Sequence, residues 1–203
     1  MAILGSGVQA ASHIESIPLV RPVREVRVWS RNPDNAERLA ASAVAVGMGL
    51  DVKAVVSVAE AVAGADIVCT TTASPDPVLF AGHLEPGMHI NAVGSSVPSA
   101  RELDGPAMAR TSMFVDRRES TLNESGDFLM ARDEGLVTDD HILGDIGGVL
   151  TGRVTGRRGM DEITLFESLG LAVEDIAAGH LVYQNALDRG VGQWLALGGR
   201  RHA

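Results

Sequence analysis

The 203 residues carry 26 Asp or Glu against 17 Lys or Arg, a net charge of −9, and 45% of them are hydrophobic. That length and apolar content allow one large domain, or one domain with a small appendage, around a sizeable core. The acidity excludes a nucleic-acid partner, whose phosphates demand a basic surface. No apolar run reaches the roughly 18 residues of a membrane span, and Met1-Ala2-Ile3 lacks the charged start of a secretory signal. Cys69 is the lone cysteine, which leaves no intrachain disulfide and no thiolate metal cluster. A cytoplasmic protein with no membrane partner is expected.

In chain order, Ala2-Ile3-Leu4 reads as the end of a strand, Gly5-Ser6-Gly7 as a turn, and Val8 onward as a helix. The spacing G-x-G-x-x-A, with Ala10 in the last position, is the dinucleotide fingerprint. Gly5 permits the tight turn, Gly7 lets the backbone approach a pyrophosphate, and Ala10 keeps the helix close to the strand. The first N–H groups of that helix, around Val8 and Gln9, offer donors and a partial positive charge to phosphate. Only four residues precede Gly5, whereas a buried parallel strand commonly has about five or six. The chain is therefore expected to begin inside its first strand or to use a short one, with a preceding region missing or a clipped strand tolerated.

The helical pattern from Val8 ends at Pro18. Strands are expected at 25–30, 52–56, 66–72, 89–94, 113–116 and 163–166. Between the second and third, Asn32-Pro33-Asp34 reads as a helix start with Asn32 as cap. That helix carries Leu39, Val44 and Val46 and stops near Gly47 or Gly49. Ser57-Val58-Ala59-Glu60 reads as a capping box. Residues 117–158 are polar, Gly-rich and without a clear period, and a final amphipathic helix spans 171–187. Strands alternating with helices imply an α/β fold, a Rossmann-type doubly wound parallel sheet.

Chemistry is expected at the carboxyl ends of the strands. About 20 residues past the glycines, where NAD-binding folds place a carboxylate on the ribose hydroxyls, the chain has Ser30-Arg31-Asn32 and no acid. A cation between neutral hydrogen-bonding groups suits a 2′-phosphate, so NADP(H) is preferred and NAD(H) remains possible; the alternative is that Arg31 is a solvated charge. Thr71 and Thr72 end the fourth strand, where they contact ribose or phosphate or simply serve as β-formers. Ala92 and Val93, followed by small residues to Ser96, end the fifth strand, where a nicotinamide ring is expected. His13, His83, His89 and His141 form no metal-ligand spacing, and His180 reads as a satisfied histidine on an apolar helix face.

An ordered set of motifs then narrows the reading. It comprises Gly5-Ser6-Gly7-Val8-Gln9-Ala10, Val28-Trp29-Ser30-Arg31, Ile90-Asn91-Ala92-Val93-Gly94, Arg101-Glu102-Leu103-Asp104, Glu124-Ser125-Gly126-Asp127 and the run from Leu165 to Asp175. Together they resemble the ornithine cyclodeaminase and mu-crystallin family, which includes ketimine reductases and an archaeal-type alanine dehydrogenase. The resemblance implies a dinucleotide-binding domain over 1–158. It also implies that residues 159–203 return by a strand and a helix to an N-terminal substrate and dimerisation domain, which this chain lacks together with the family's substrate-binding lysine and arginine. The one lysine, Lys53, does not match that lysine.

The resemblance further implies an NAD(P)-dependent oxidoreductase acting at the C=N or C–N carbon of a small imino or amino acid, as a homodimer when complete. Thr71, Val93 and Ser168 then line the cofactor and Leu169 touches substrate. Family cyclodeaminases carry an aspartate two residues after the Val-Gly pair, where this chain has Ser96. An alcohol cannot serve as a carboxylate base at neutral pH, although Ser96 can orient a water or the substrate. This counts against the alternative, an ornithine cyclodeaminase that holds NAD and yields proline and ammonia. A second alternative is a catalytically inactive NADP(H)-binding remnant.

Overall fold

The computed structural model describes residues 1–45 and 49–195. In chain order its elements are β1 (Ala2–Leu4), α1 (Val8–Ser16), β2 (Glu25–Trp29), α2 (Pro33–Ala45), β3 (Asp51–Ala54), α3 (Val58–Val62), β4 (Ile67–Thr70) and β5 (His89–Ala92). There follow α4 (Gly105–Ala109), β6 (Ser112–Val115), α5 (Arg118–Glu124), α6 (Gly126–Asp133), β7 (Ile142–Asp145), α7 (Ile146–Leu150), β8 (Thr164–Glu167) and α8 (Ala172–Arg189). The expected helix end at Val46 and Gly47 lies outside the described residues.

All eight strands run parallel in the order β3-β2-β1-β4-β5-β8-β6-β7. β1 has only three residues but sits between β2 and β4, and Ala2, Ile3 and Leu4 are fully buried. Successive side chains of a strand point to opposite faces, and the two core layers divide accordingly. Ala2 and Leu4 join Val68, Ile90, Leu165 and Phe128 on one side. Ile3 joins Ile14, Val26, Val28 and Leu39 on the other. Helices thus cover both faces, as a parallel sheet requires.

Contacts divide the chain into Met1–Leu169 and Gly170–Ala203. β8 pairs with both β5 and β6 in the middle of the sheet, so the first unit takes in this strand and continues past residue 158. The second unit is built on α8, which closes on a left-handed Gly190. His180, expected to be a buried or interface histidine, is exposed in the single chain. Within 117–158 the structure forms α5, α6, β7 and α7, where the sequence pattern showed no period. Ser125 ends α5 and caps α6, its hydroxyl accepting from Phe128 N. No described helix is long and apolar enough to cross a membrane.

Candidate functional site

The register of the sheet aligns its carboxyl edge. Trp29, Leu4, Thr70, Ala92 and Glu167 are successive Cα partners across β2, β1, β4, β5 and β8. The residues that follow them are Ser30, Gly5, Thr71, Val93 and Ser168, five of the sequence candidates, brought to one edge by pairing alone. The chain order reverses about β1, which lies between β2 and β4, and such a switch point leaves a crevice beyond the strand ends.

A cleft of about 390 Å³ opens there, lined by Gly5, Ser6, Gly7, Ser30, Arg31, Asn32, Thr71 and Thr72, with Trp29, Asn35, Ala73, Ser74 and Val78 completing its wall. Gly5 has φ +125° and donates its N–H to the Trp29 carbonyl. Thr71 closes the other side, its N–H and Oγ1 both donating to the Leu4 carbonyl at 2.8 and 3.1 Å. Ser6 Oγ and Ser30 Oγ lie 2.9 Å apart and tie the glycine turn to the end of β2. Asn32 Oδ1 accepts from Asp34 N at 3.0 Å, the expected cap of α2. Arg31 is exposed on the rim.

Gly7 is the N-cap of α1 and offers no side-chain acceptor. A Cβ on Gly7 would meet nothing within 4 Å, so the space in front of the helix start is open. Val8 and Gln9 are exposed in its first turn, among the residues whose N–H groups have no intrahelical partner. A helix start, hydroxyls at the floor and a guanidinium on the rim together suit a phosphate-bearing ligand.

The remaining candidates lie further along the edge and outside that cleft. Ala92 is buried, Val93 donates its N–H to the Thr70 carbonyl, and Ser168 N donates to the Ala92 carbonyl. Leu169 N donates to Asp116 Oδ2 at 2.7 Å. Ser96 is exposed. Its neighbour Ser95 is buried, donating to the Ala100 carbonyl and accepting from Asp127 N. Cys69 is buried on β4, and burial pushes its thiol up to about 12, which leaves it inert. His89 and His141 are both lowered by burial. Among the described residues, no group of three or more His, Cys, Asp or Glu is placed to hold a metal.

Four carboxylates are buried, Glu102, Asp116, Asp127 and Glu167, and the sequence pattern marks none of them as interior. An acid by its residue type alone reads as a surface charge. Asn35 and Val78, on the cleft wall, also gave no signal. Burial raises the Glu102, Asp127 and Glu167 carboxyls; the Glu102 charge adds to the rise of Asp127, and the Asp127 and Glu102 charges to that of Glu167.

Residues 1–190 match the model of the ornithine cyclodeaminase/mu-crystallin family. The ketimine reductase mu-crystallin of Mus musculus is 41% identical over 185 residues, covering 91% of this chain and 55% of that protein. The structure of Thermococcus litoralis Δ1-pyrroline-2-carboxylate reductase, in complex with NADH and L-proline, superposes with a TM-score of 0.92 at 37% identity, over 95% of this chain and 59% of that one. An archaeal alanine dehydrogenase dimer with bound NAD superposes at 0.88 and 30% identity, over 97% and 60%. The chain thus spans somewhat more than half the length of these relatives.

Proposed function

The chain belongs to the ornithine cyclodeaminase/mu-crystallin family, and from that premise we propose that it is the cofactor-holding part of an NAD(P)-dependent oxidoreductase. The reaction is hydride transfer at the C=N or C–N carbon of an imino or amino acid, of the ketimine reductase type. The observation that carries the reading is the cleft at the switch point, lined by the glycine turn beside an open helix start and by Arg31.

In this reading Gly5, Ser6, Gly7, Val8 and Gln9 hold the pyrophosphate against the start of α1. Ser30, Arg31 and Asn32 take the adenosine end, with Arg31 placed for a 2′-phosphate and NADP(H) favoured over NAD(H). Thr71 and Thr72 support the ribose and phosphate, and Ala92, Val93 and Ser168 form the wall for the nicotinamide. When bound, the cofactor supplies the hydride, and the protein supplies orientation and electrostatics. Ser96 and Leu169 stand toward the substrate, with Ser96 orienting a water or the imino acid by hydrogen bonding. The substrate class follows the names of the relatives, a small cyclic imino acid in the ketimine and pyrroline-2-carboxylate reductases. We place the protein in the cytoplasm and its assembly, in the complete architecture, as a homodimer using the unit that contains α8.

The test is a titration with NADPH and NADH, followed by Δ1-pyrroline-2-carboxylate as substrate with loss of reduced nicotinamide absorbance as the signal. Turnover supports the oxidoreductase. Binding without turnover supports a cofactor-holding role only, and no binding of either cofactor overturns the reading. Incubation with ornithine distinguishes a cyclodeaminase, which would release proline and ammonia.

A further inference from the structure

We propose that Glu102 is a positioning residue for the nicotinamide half of the cofactor site, its buried carboxylate locking the loop after β4 to the loop after β5. The proposal rests on the dinucleotide reading above. Glu102 Oε1 accepts from Thr72 N at 2.5 Å, and Oε2 accepts from Gly94 N at 2.7 Å. Those amides stand two residues beyond Thr70 and Ala92, which are register partners at the ends of β4 and β5. One side chain thus spans the two strand ends between which the ring is expected, and Thr72 also lines the cleft.

The surroundings are shaped to this carboxylate. A Cβ on Gly94 would fall 2.1 Å from the Thr72 carbonyl oxygen and 2.4 Å from Glu102 Cδ. The glycine of the Val-Gly pair therefore has a local reason: the carboxylate and a carbonyl take the space of its side chain. Glu102 is itself fixed from behind. Its N–H and that of Leu103 both donate to Asp127 Oδ1 at 2.8 Å. Its carbonyl accepts from Val78 N and Leu79 N at 2.8 and 2.9 Å, and Val78 is part of the cleft wall. The chain of contacts runs from Asp127 on α6 through Glu102 to both loops.

Glu102 is fully buried, and no cation pairs with it among the described residues. A buried charge is costly unless hydrogen-bonded, and the two backbone amides supply those bonds; a hydrophobic residue of similar volume would leave both donors unpaired. The ionised carboxylate offers a strong acceptor to each amide; protonation turns one oxygen into a hydroxyl, a much weaker acceptor for its N–H donor. The charged groups that face this region are Asp127 from α6 and Glu167 from β8, with Asp116 after β6 beyond them. All are acids and oppose ionisation. Burial raises the Glu102 carboxyl, and the hydrogen bonds from Thr72 and Gly94 hold it down. On acidification the tie is therefore lost earlier than an exposed glutamate would protonate.

The experiment uses the full 203-residue chain, isotopically labelled. The carboxyl carbon of Glu102 and the amides of Thr72 and Gly94 are followed by NMR through a pH titration, and the dissociation constant for NADPH is measured over the same range. The amides should move with the midpoint of Glu102, and NADPH affinity should fall through the same midpoint. Glu102→Gln keeps the shape but sets an NH₂ against one backbone donor. It should weaken NADPH by about tenfold, about 1.4 kcal/mol, shift the Thr72 or Gly94 amide, and flatten the acid limb of the pH dependence. Wild-type affinity in this variant, or NADPH binding in the wild type that ignores the Glu102 midpoint, overturns the proposal. If the variant does not fold, the wild-type titration decides alone. Failure of the wild type to bind NADPH or NADH at any pH overturns the dinucleotide reading itself and the proposal with it, an outcome distinct from binding that is indifferent to Glu102.

Discussion

A β-carbon placed on Gly5 would sit 2.5 Å from the carbonyl oxygen of Thr71 and 2.6 Å from its Oγ1. The glycine of the fingerprint is thus fixed by the neighbouring strand end as well as by its own φ of +125°. Gly5→Ala has to adopt a backbone that L residues avoid, at about 1–3 kcal/mol. It must also displace the carbonyl side of β4, at about 1–3 kcal/mol more. A loss of about 3 kcal/mol lowers Tm by about 6–12 °C in a chain of this size. Thermal unfolding measures it, and an unchanged Tm would show that the turn does not press on Thr71.

Arg31 tests the choice of cofactor. It stands exposed on the rim of the cleft between Ser30 and Asn32. By contrast, the Arg27 guanidinium is engaged by the Glu60 and Ala63 carbonyls. A charged contact to phosphate contributes about 1.5–3 kcal/mol, or roughly one to two decades in affinity. Arg31→Asp should weaken NADPH by that factor and leave NADH equal or tighter, as read from parallel titrations. Equal loss for both cofactors would assign Arg31 to general attraction of phosphates.

The strands other than β7 were legible as short apolar runs, as in Val26 and Val28 before Asn32-Pro33. The helix caps were legible too. Ser57 Oγ accepts from Glu60 N, although the Glu60 carboxylate reaches Val56 N rather than the cap residue's own amide. β7 was not legible, since Gly144 interrupts it. That glycine is required there because a Cβ would fall 2.8 Å from both methyl carbons of Val154, a contact between residues ten apart that no local pattern encodes. α5 and α6 are short and charged, separated only by Ser125. The same limit hid Glu102, Asp127 and Glu167: burial of an acid is decided by tertiary packing, while its letter reads as surface.

Asp104 links two segments through one oxygen. Oδ1 accepts from Ala107 N at 2.9 Å, capping α4, and from Ala81 N at 3.0 Å. Asp104→Ala removes the cap, at about 0.5–2 kcal/mol, and leaves a second donor without its acceptor. Asp104→Asn retains an oxygen in the same place. The alanine variant should therefore melt clearly lower than the asparagine variant in side-by-side thermal scans. Equal melting points would mean that the oxygen contributes nothing.

The unit from Gly170 onward presents Val173, Ile176, Leu181, Val182 and Leu187 as exposed apolar side chains on α8, with Trp194 and Leu195 beyond. Contiguous exposed apolar surface is rare on soluble monomers, and its burial is favourable by about 25 cal/mol per Å². The chain should self-associate, with a sedimentation coefficient that rises across a concentration series. Ile176→Glu together with Leu181→Glu should restore a monomer. A monomer at every concentration in the wild type would show that this surface is not adhesive.

Asp127 and Glu167 set the pH dependence of stability. Both are buried, and Asp127 Oδ2 and Glu167 Oε2 have no hydrogen-bond partner among the described residues. Burial raises both carboxyls first; the Glu102 charge adds to the rise of Asp127, and the Asp127 charge to that of Glu167. A carboxyl that is raised in the fold holds its proton more tightly there than in the unfolded chain, where it titrates near about 4. The folded state then binds more protons, so stability falls as pH rises from about 4 through the raised folded values. This is the reverse of the usual salt-bridged acid. Glu167→Gln removes one charge and keeps Oε1 as acceptor for Ser125 Oγ. At pH 7 the variant should be more stable by about 1–3 kcal/mol, within the range seen when a buried charge is replaced by a fitting neutral group. At pH 4, where the wild-type pair already holds protons, the gain should vanish. Denaturant unfolding at pH 4, 5.5, 7 and 8 measures the two curves. Parallel curves, or a variant weaker than the wild type at pH 7, would show that these carboxyls are not in conflict.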